Sequence, residues 1–192
     1  MTTRSTGSAV QAPTSLRTEH HDGASVARDP ERWARAYVQV HAEDLGLPDH
    51  CDPPIADRLA RHAARPGFLL VAALDGQEVA GYLYGYTLPP DTLWWEGLAP
   101  APDPEFVREH PGRTVALCEL LVRGSWQRLG TGVLLVQEFL SPRTEQRAAA
   151  LVAEGNRVVL DRYDRYGFTR VGTTEPYPGW RPHHMVVREL RP

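Results

Sequence analysis

The hydrophobic period of this chain changes once, at Pro66-Gly67, and that change limits the fold more than any other feature. Before it, Trp33, Ala36, Tyr37, Val40 and His41 recur at helical spacing behind Asp29-Pro30-Glu31. There Asp serves as cap and Pro as first helical residue. Asp52-Pro53-Pro54 reads as a second cap ahead of Ile55, Leu59 and Ala63. After Pro66-Gly67 the apolar residues come in short blocks bounded by turn residues, the mark of strands.

Residues 68–74 (FLLVAAL) form one such block, and the tight-turn pair Asp75-Gly76 joins it to 79–88 (VAGYLYGYTL). Alternation along that second strand puts Tyr82, Tyr84 and Tyr86 on one face. Further strands are expected at 115–122, 148–153, 168–173 and 184–190, with a short first strand at 15–19. Helices are expected at 133–140 and from Asn156 to Tyr166, the latter closed by Gly167. Strands alternating with helices make an α/β (α+β) fold, a mixed sheet of six or seven strands flanked by about four helices. Residues 1–14 read as a disordered tail and 15–192 as a single domain. A proline-rich insertion at about 89–114 carries Asp91, Trp94, Trp95 and Glu96, and a loop of that length is usually functional or mobile.

Composition removes several mechanisms. All 21 basic side chains are arginine. Without a lysine there is no Schiff-base chemistry, no anchor for pyridoxal phosphate and no P-loop. A net charge of −3 gives no basic stripe for nucleic acid. No apolar run is long enough to span a membrane. Cys51 and Cys118 make no CxxC pair, so no metal site is expected, and a cytoplasmic chain with reduced thiols is the natural reading.

Gln127-Arg128-Leu129-Gly130-Thr131-Gly132 lies between an expected strand and an expected helix. Helix starts expose unpaired N–H groups and the positive end of the macrodipole, and glycine lets a ligand approach the backbone. Such a junction suits a phosphate or pyrophosphate. The third glycine of a dinucleotide fingerprint is missing, and so is the P-loop lysine. On the glycines alone, a plain turn competes with phosphate binding.

This stretch resembles the acetyl-CoA motif of the GCN5-related N-acetyltransferase (GNAT) family. It follows a strand ending Glu119-Leu120-Leu121-Val122, and Asn156, Tyr163 and Gly167-Phe168 downstream match the spacing of a second motif of that family. The resemblance covers 115–173 well. It implies a mostly antiparallel sheet splayed between its fourth and fifth strands, with acetyl-CoA as co-substrate in the gap. The backbone of Leu120, Leu121 and Val122 would then pair with the pantetheine arm. The amides of Arg128, Leu129, Gly130, Thr131, Gly132 and Val133 would hold the pyrophosphate, and Gln127, which opens the motif, counts among the cofactor-binding residues. Asn156 would contact the pantetheine arm, or act as a plain helix N-cap. Tyr163 would protonate the departing thiolate, with Tyr166 the competing candidate. Glu119 is the candidate base for the amine, its alternative being a structural ion pair. A backbone N–H of the fourth strand would serve the oxyanion.

The resemblance also implies an acceptor pocket built from the first helices, the hairpin and the last strands. Tyr84, Trp94, Trp95 and Glu96 are its leading residues, since aromatic walls with a carboxylate suit a cationic amine. Tyr82, Tyr86, Trp180, His183 and His184 are further candidates, while Trp33 and Tyr37 read better as core. His183 and His184 are adjacent on a strand and should face opposite ways, which argues against a metal there. The reaction implied is transfer of an acetyl group to a primary amine of a small molecule. A CoA-binding regulatory domain, a longer acyl donor, a protein N-terminus as acceptor and a homodimer stay open.

Overall fold

The computed structural model describes residues 16–191. The expected tail at 1–14 lies outside them. Seven strands form one sheet: β1 (Arg17–His21), β2 (Leu69–Asp75), β3 (Glu78–Thr87), β4 (Thr114–Val122), β5 (Arg147–Ala153), β6 (Thr169–Thr174) and β7 (His183–Glu189). Their order is β1-β2-β3-β4-β5-β7-β6. All neighbours are antiparallel except β4 and β5. Four helices reach nine residues or more: α2 (Pro30–Val40), α4 (Ile55–Ala63), α6 (Thr131–Leu140) and α7 (Arg157–Arg165). The short helices α1 (Gly23–Arg28), α3 (Pro48–Cys51) and α5 (Pro104–Val107) complete the described set.

Helix starts follow the sequence with one exception. Asp29 caps α2 by accepting from the Arg32 amide, and Pro30 takes the first helical position. Asp52 does not cap α4. It closes α3, its N–H donating to Pro48 O, and extended Pro54 stands at the start of α4. Two consecutive prolines separate Asp52 from the helix, so its carboxylate is out of reach of the first-turn amides.

Alternation in the strands sorts the core into two faces. Val71, Ala73, Leu83, Val115 and Leu117 pack with Leu135 and Phe139 of α6 and Tyr163 of α7. Leu70, Ala72, Leu74, Tyr82, Tyr84 and Leu121 face Trp33 and Tyr37 of α2 and Leu59 of α4. The same second face continues under the insertion, where Ala116, Ala149, Met185 and Val187 meet Trp95 and Leu98. The insertion is thus a roof with its own small core. It is clipped to β6 by an Ala99–Thr173 bridge and to β5 by the buried Arg147–Glu109 ion pair at 2.8 Å.

Candidate active site

Strands β4 and β5 pair only from Thr114–Arg147 to Leu117–Ala150. Beyond that both strands continue, but apart from each other. The β5-facing backbone groups of residues 118–122 therefore have no strand partner among the described residues. A cleft of about 1130 Å³ opens from this gap. It is lined by Leu120, Leu121, Val122, Gln127, Gly132, Asn156, Tyr163 and Tyr166 at one end, and by Tyr37, His41, Arg58, Tyr84, Trp94 and Trp180 at the other.

A bulge in β4 aims Glu119 into it. Gly85 of β3 pairs with Leu117 and Tyr84 with Glu119, which leaves Cys118 as the extra residue. Strict alternation would put Glu119 on the α6 face beside Leu117. The extra residue turns it to the opposite face, and re-aiming a side chain is what bulges do. Its carboxylate is 16% exposed and stands 3.8 Å from His41 Nε2. That distance is too long for a hydrogen bond but close for a charge interaction. Burial drives the Cys118 thiol upward, so it stays protonated and unreactive.

At the mouth of the gap α6 begins without a side-chain cap, behind Gly130 at φ 85°. That conformation is open to glycine and costly for other residues. Arg128 also holds a positive φ, 63°. The amides of Thr131, Gly132 and Val133 lie in the uncapped first turn, where N–H groups lack intrahelical partners. A Cβ at Gly132 would come within 3.3 Å of the Tyr166 hydroxyl, so a side chain there would crowd the passage. Arg128, Leu129, Gly130, Thr131 and Val133 do not themselves line the cleft. Thr131 uses its hydroxyl on Trp126 O, and Gln127 reaches back to Val122 O at the end of β4.

Two residues of the second motif meet at the same cleft. Asn156 caps α7 by accepting from the Val159 amide at 3.2 Å. Tyr163 packs its ring edge-on to Phe168 with centroids 5.0 Å apart. Burial, with the Glu119 charge second, pushes the Tyr163 phenol up, so it carries its proton at neutral pH. Tyr166 is half-buried and its phenol is raised less, again chiefly by burial.

The far end is a network of side chains. Tyr37 OH lies 2.7 Å from His50 Nδ1 and accepts from Arg58 Nη2 at 2.9 Å. Arg181 Nη2 stands 3.2 Å from His50 Nε2. An arginine can only donate, so His50 Nε2 accepts and its Nδ1 carries the proton toward Tyr37. Both acceptor sites of the Tyr37 hydroxyl are then occupied, and its own proton has no acceptor among the described residues. Burial lowers His50, with His41 beside it adding to the effect, which keeps it neutral. Arg181 in turn holds the buried Asp49 carboxylate at 2.6 Å, and the Arg181 guanidinium pulls that carboxyl below its usual range despite burial acting the other way. His62 lies 3.3 Å from Tyr84 OH and is lowered by burial to about 4.

Of the leading acceptor candidates, Tyr84, Trp94 and Glu96 line the cleft and Trp95 does not. Trp95 is 7% exposed and donates its indole N–H to Glu109 at 3.0 Å inside the insertion. Trp33 is core, as its spacing suggested, against Tyr82 and His21. Tyr37 is core in its ring only, since its hydroxyl joins the network. Tyr82 is fully buried, Tyr86 and Trp180 line the cleft, and His183 lines it while His184 turns to Thr173. His41, Asp44 and His50 bring their ligating atoms within 4.8 Å of one another. Both His50 nitrogens are already engaged, and two guanidiniums flank them, so the set fits a cation poorly.

Sequence reasoning missed Arg58, His50, His62, Asp49 and Arg181. No spacing rule links positions on α3, α4 and the segment before β7. The one available signal was that Arg58 falls one residue before Leu59, on the edge of an amphipathic helix.

The sequence pattern of the acetyltransferase (GNAT) family matches residues 31–168. The chain belongs to that family. Solved structures with the same fold include an acetyltransferase of the GNAT family from Staphylococcus aureus, with a TM-score of 0.64 and 11% identity over 92% of this chain and 100% of that one. The paia N-acetyltransferase from Thermoplasma acidophilum, solved in complex with coenzyme A, gives 0.60 and 10% over 91% and 99%. The aminoglycoside 6'-acetyltransferase type Ii gives 0.61 and 15% over 92% and 98%. At such identities the likeness is one of fold. Among curated protein sequences none matches significantly. Among the described residues no helix is long and apolar enough to cross a membrane.

Proposed function

We propose that this GNAT protein transfers an acetyl group from acetyl-CoA to the primary amine of a small molecule, both substrates being bound together. The observation that carries the reading is the opening of β4 from β5 with Glu119 and Tyr163 on the same cleft. Bound acetyl-CoA supplies an activated acetyl thioester and a thiolate leaving group. The chain's own residues fit it: 118–122 offer an unpaired strand edge, which an extended arm can join as an added strand. The uncapped start of α6 offers amides to a pyrophosphate. Bare Gly132 keeps the passage under the Tyr166 hydroxyl clear.

Glu119 takes the proton that the attacking amine must lose and becomes a neutral carboxylic acid, with His41 3.8 Å behind it. Tyr163 keeps its proton until the thiolate forms and then gives it up. The acceptor enters from the side of Tyr84, Trp94 and Glu96, whose rings and carboxylate suit a cationic amine. The free thiols of Cys51 and Cys118 suit a reducing cytoplasm.

The test joins binding to turnover. Acetyl-CoA should raise the melting temperature, and free CoA should accumulate, read with a thiol reagent, when an amine panel is added. No binding of acetyl-CoA would sink the proposal. Binding with no turnover on a broad panel would favour a CoA-sensing role instead.

A further inference from the structure

Of the cleft-lining arginines that form no salt bridge among the described residues, Arg58, Arg65 and Arg162, Arg58 is the one held in the hydrogen-bond network of the far end. The guanidinium Nη1 donates to the Asp49 carbonyl at 3.2 Å and Nη2 to Tyr37 OH at 2.9 Å. Its Nε is buried without a partner. A guanidinium has five N–H donors, and these are the two taken among the described residues. The nearby Asp49 carboxylate is committed to Arg181. His50 and His62 are held neutral by burial and add no like charge beside it, and Glu119, whose charge acts on Arg58 across the cleft, forms no salt bridge with it among the described residues. Arg58 is fixed in place between the faces of Tyr37 and Trp180, at 5.4 and 5.5 Å from their centroids. A half-buried cation held rigidly on a cleft wall with donors to spare is prepared for an anion.

The cleft also holds Glu119, partly buried, whose carboxylate makes no hydrogen bond to the chain among the described residues. We infer that the acceptor is an amino acid or close derivative, its amine at Glu119 and its carboxylate on the terminal nitrogens of Arg58. This rests on the acetyl-transfer reading and adds the substrate class to it. One planar fork matches one carboxylate. A phosphate dianion is a poorer match, because the outer rim carries exposed Asp91, Glu96 and Glu175. The rings of Tyr84, Tyr86, Trp94 and Trp180 leave apolar wall for a side chain.

The test uses matched trios on the full chain: an amino acid, its carboxamide and the amine it becomes on loss of the carboxylate. Phenylalanine, phenylalaninamide and phenethylamine make one trio, and methionine, leucine and arginine supply others. CoA release gives kcat/KM for each, and calorimetry with CoA present and absent gives affinity where turnover is slow. At least one amino acid should exceed its carboxamide and amine by about 10- to 150-fold, the worth of a hydrogen bond to a charged group. Arg58→Gln should collapse that ratio, and Arg58→Lys should restore part of it. A merely structural Arg58 would lower all members of a trio together and leave the ratio intact, which overturns the inference. So does equal or better use of the decarboxylated amines by the unaltered protein, or the absence of carboxylate preference in both turnover and affinity. If acetyl-CoA itself does not bind, the transferase reading fails, and the titrations without CoA still report on Arg58. Melting temperatures of both variants separate lost recognition from lost folding.

Discussion

The two ends of the cleft recognise by different means. Where β4 leaves β5, the surface on offer is main chain: the strand edge of 118–122 and the uncapped amides of α6. At the opposite end it is side chain, with Tyr37, His50, Arg58, Asp49 and Arg181 joined through bonds of 2.6 to 3.2 Å. A main-chain site tolerates most side chains but demands particular backbone angles. A side-chain network tolerates little, because each member fixes the tautomer or direction of the next. The contrast predicts which substitutions each end can absorb.

The largest effects should come from the two side chains proposed to move protons. Glu119→Gln and Tyr163→Phe should each lower kcat by about 10²–10⁴, the usual worth of general acid–base catalysis. CoA affinity by calorimetry should stay within about threefold, since the strand edge and the α6 amides that offer contacts to the cofactor are main-chain groups that neither substitution removes. Tyr163→Phe keeps the ring packed against Phe168. A collapse of CoA affinity in either variant would show that the division drawn here is wrong.

Acid should weaken the side-chain end first. Burial lowers His62 to about 4 from an ordinary 6.5. Between those values the unfolded chain binds the proton and the folded chain does not, so stability rises with pH across this window. The contribution is complete above pH 6.5 and is lost as pH falls toward 4. Its size is on the order of 3 kcal/mol. His50, His21 and His183 are lowered too, chiefly by burial, and tilt the same way. Denaturant melts at pH 4.5 and 7 should show the slope, and His62→Gln should flatten it. An unchanged slope in that variant would remove His62 from the account.

The main-chain end should react to volume and backbone angle instead. Gly132→Val puts its Cβ about where the Tyr166 hydroxyl leaves 3.3 Å, and overpacking of this kind costs about 1–3 kcal/mol, here taken from CoA binding. Arg128→Gly should do the reverse. It releases a non-glycine residue from φ 63° at a gain of about 1 kcal/mol and leaves its amide in place. Thermal melts and CoA titrations check both. Weaker CoA binding in Arg128→Gly would mean that the side chain, not the amide, makes the contact.

The same contrast explains what the sequence discloses. Residues that set backbone angle or start a helix leave local signatures, and Gly130, Gly132 and Asn156 occur where a strand–turn–helix reading expects them. The sheet, its hairpin and the main helices follow from period alone. The β4 bulge has no such signature, since Leu117-Cys118-Glu119-Leu120 reads as a plain strand until pairing with Tyr84 and Gly85 is known. Arg58, His50 and Arg181 lie on separate elements and meet through the tertiary fold. The insertion misleads for a related reason. Trp94 and Trp95 are adjacent and chemically alike, yet Trp94 lines the cleft while Trp95 is buried on Glu109.

Asn156 tests the comparison at its finest grain, because it belongs to both descriptions. Its side-chain oxygen caps α7 through the Val159 amide, which leaves the amide NH₂ free beside the cleft. Asn156→Ala should cost about 1 kcal/mol of stability from the lost cap. Asp caps a helix as well as Asn does, so Asn156→Asp should recover that stability. It cannot recover a donor, because an ionised carboxylate only accepts. CoA affinity should therefore fall in both variants while the melting temperature falls only in the first. If Asn156→Asp restores affinity along with stability, Asn156 acts by holding α7 in place, and contact with the cofactor at this position belongs to the main chain after all.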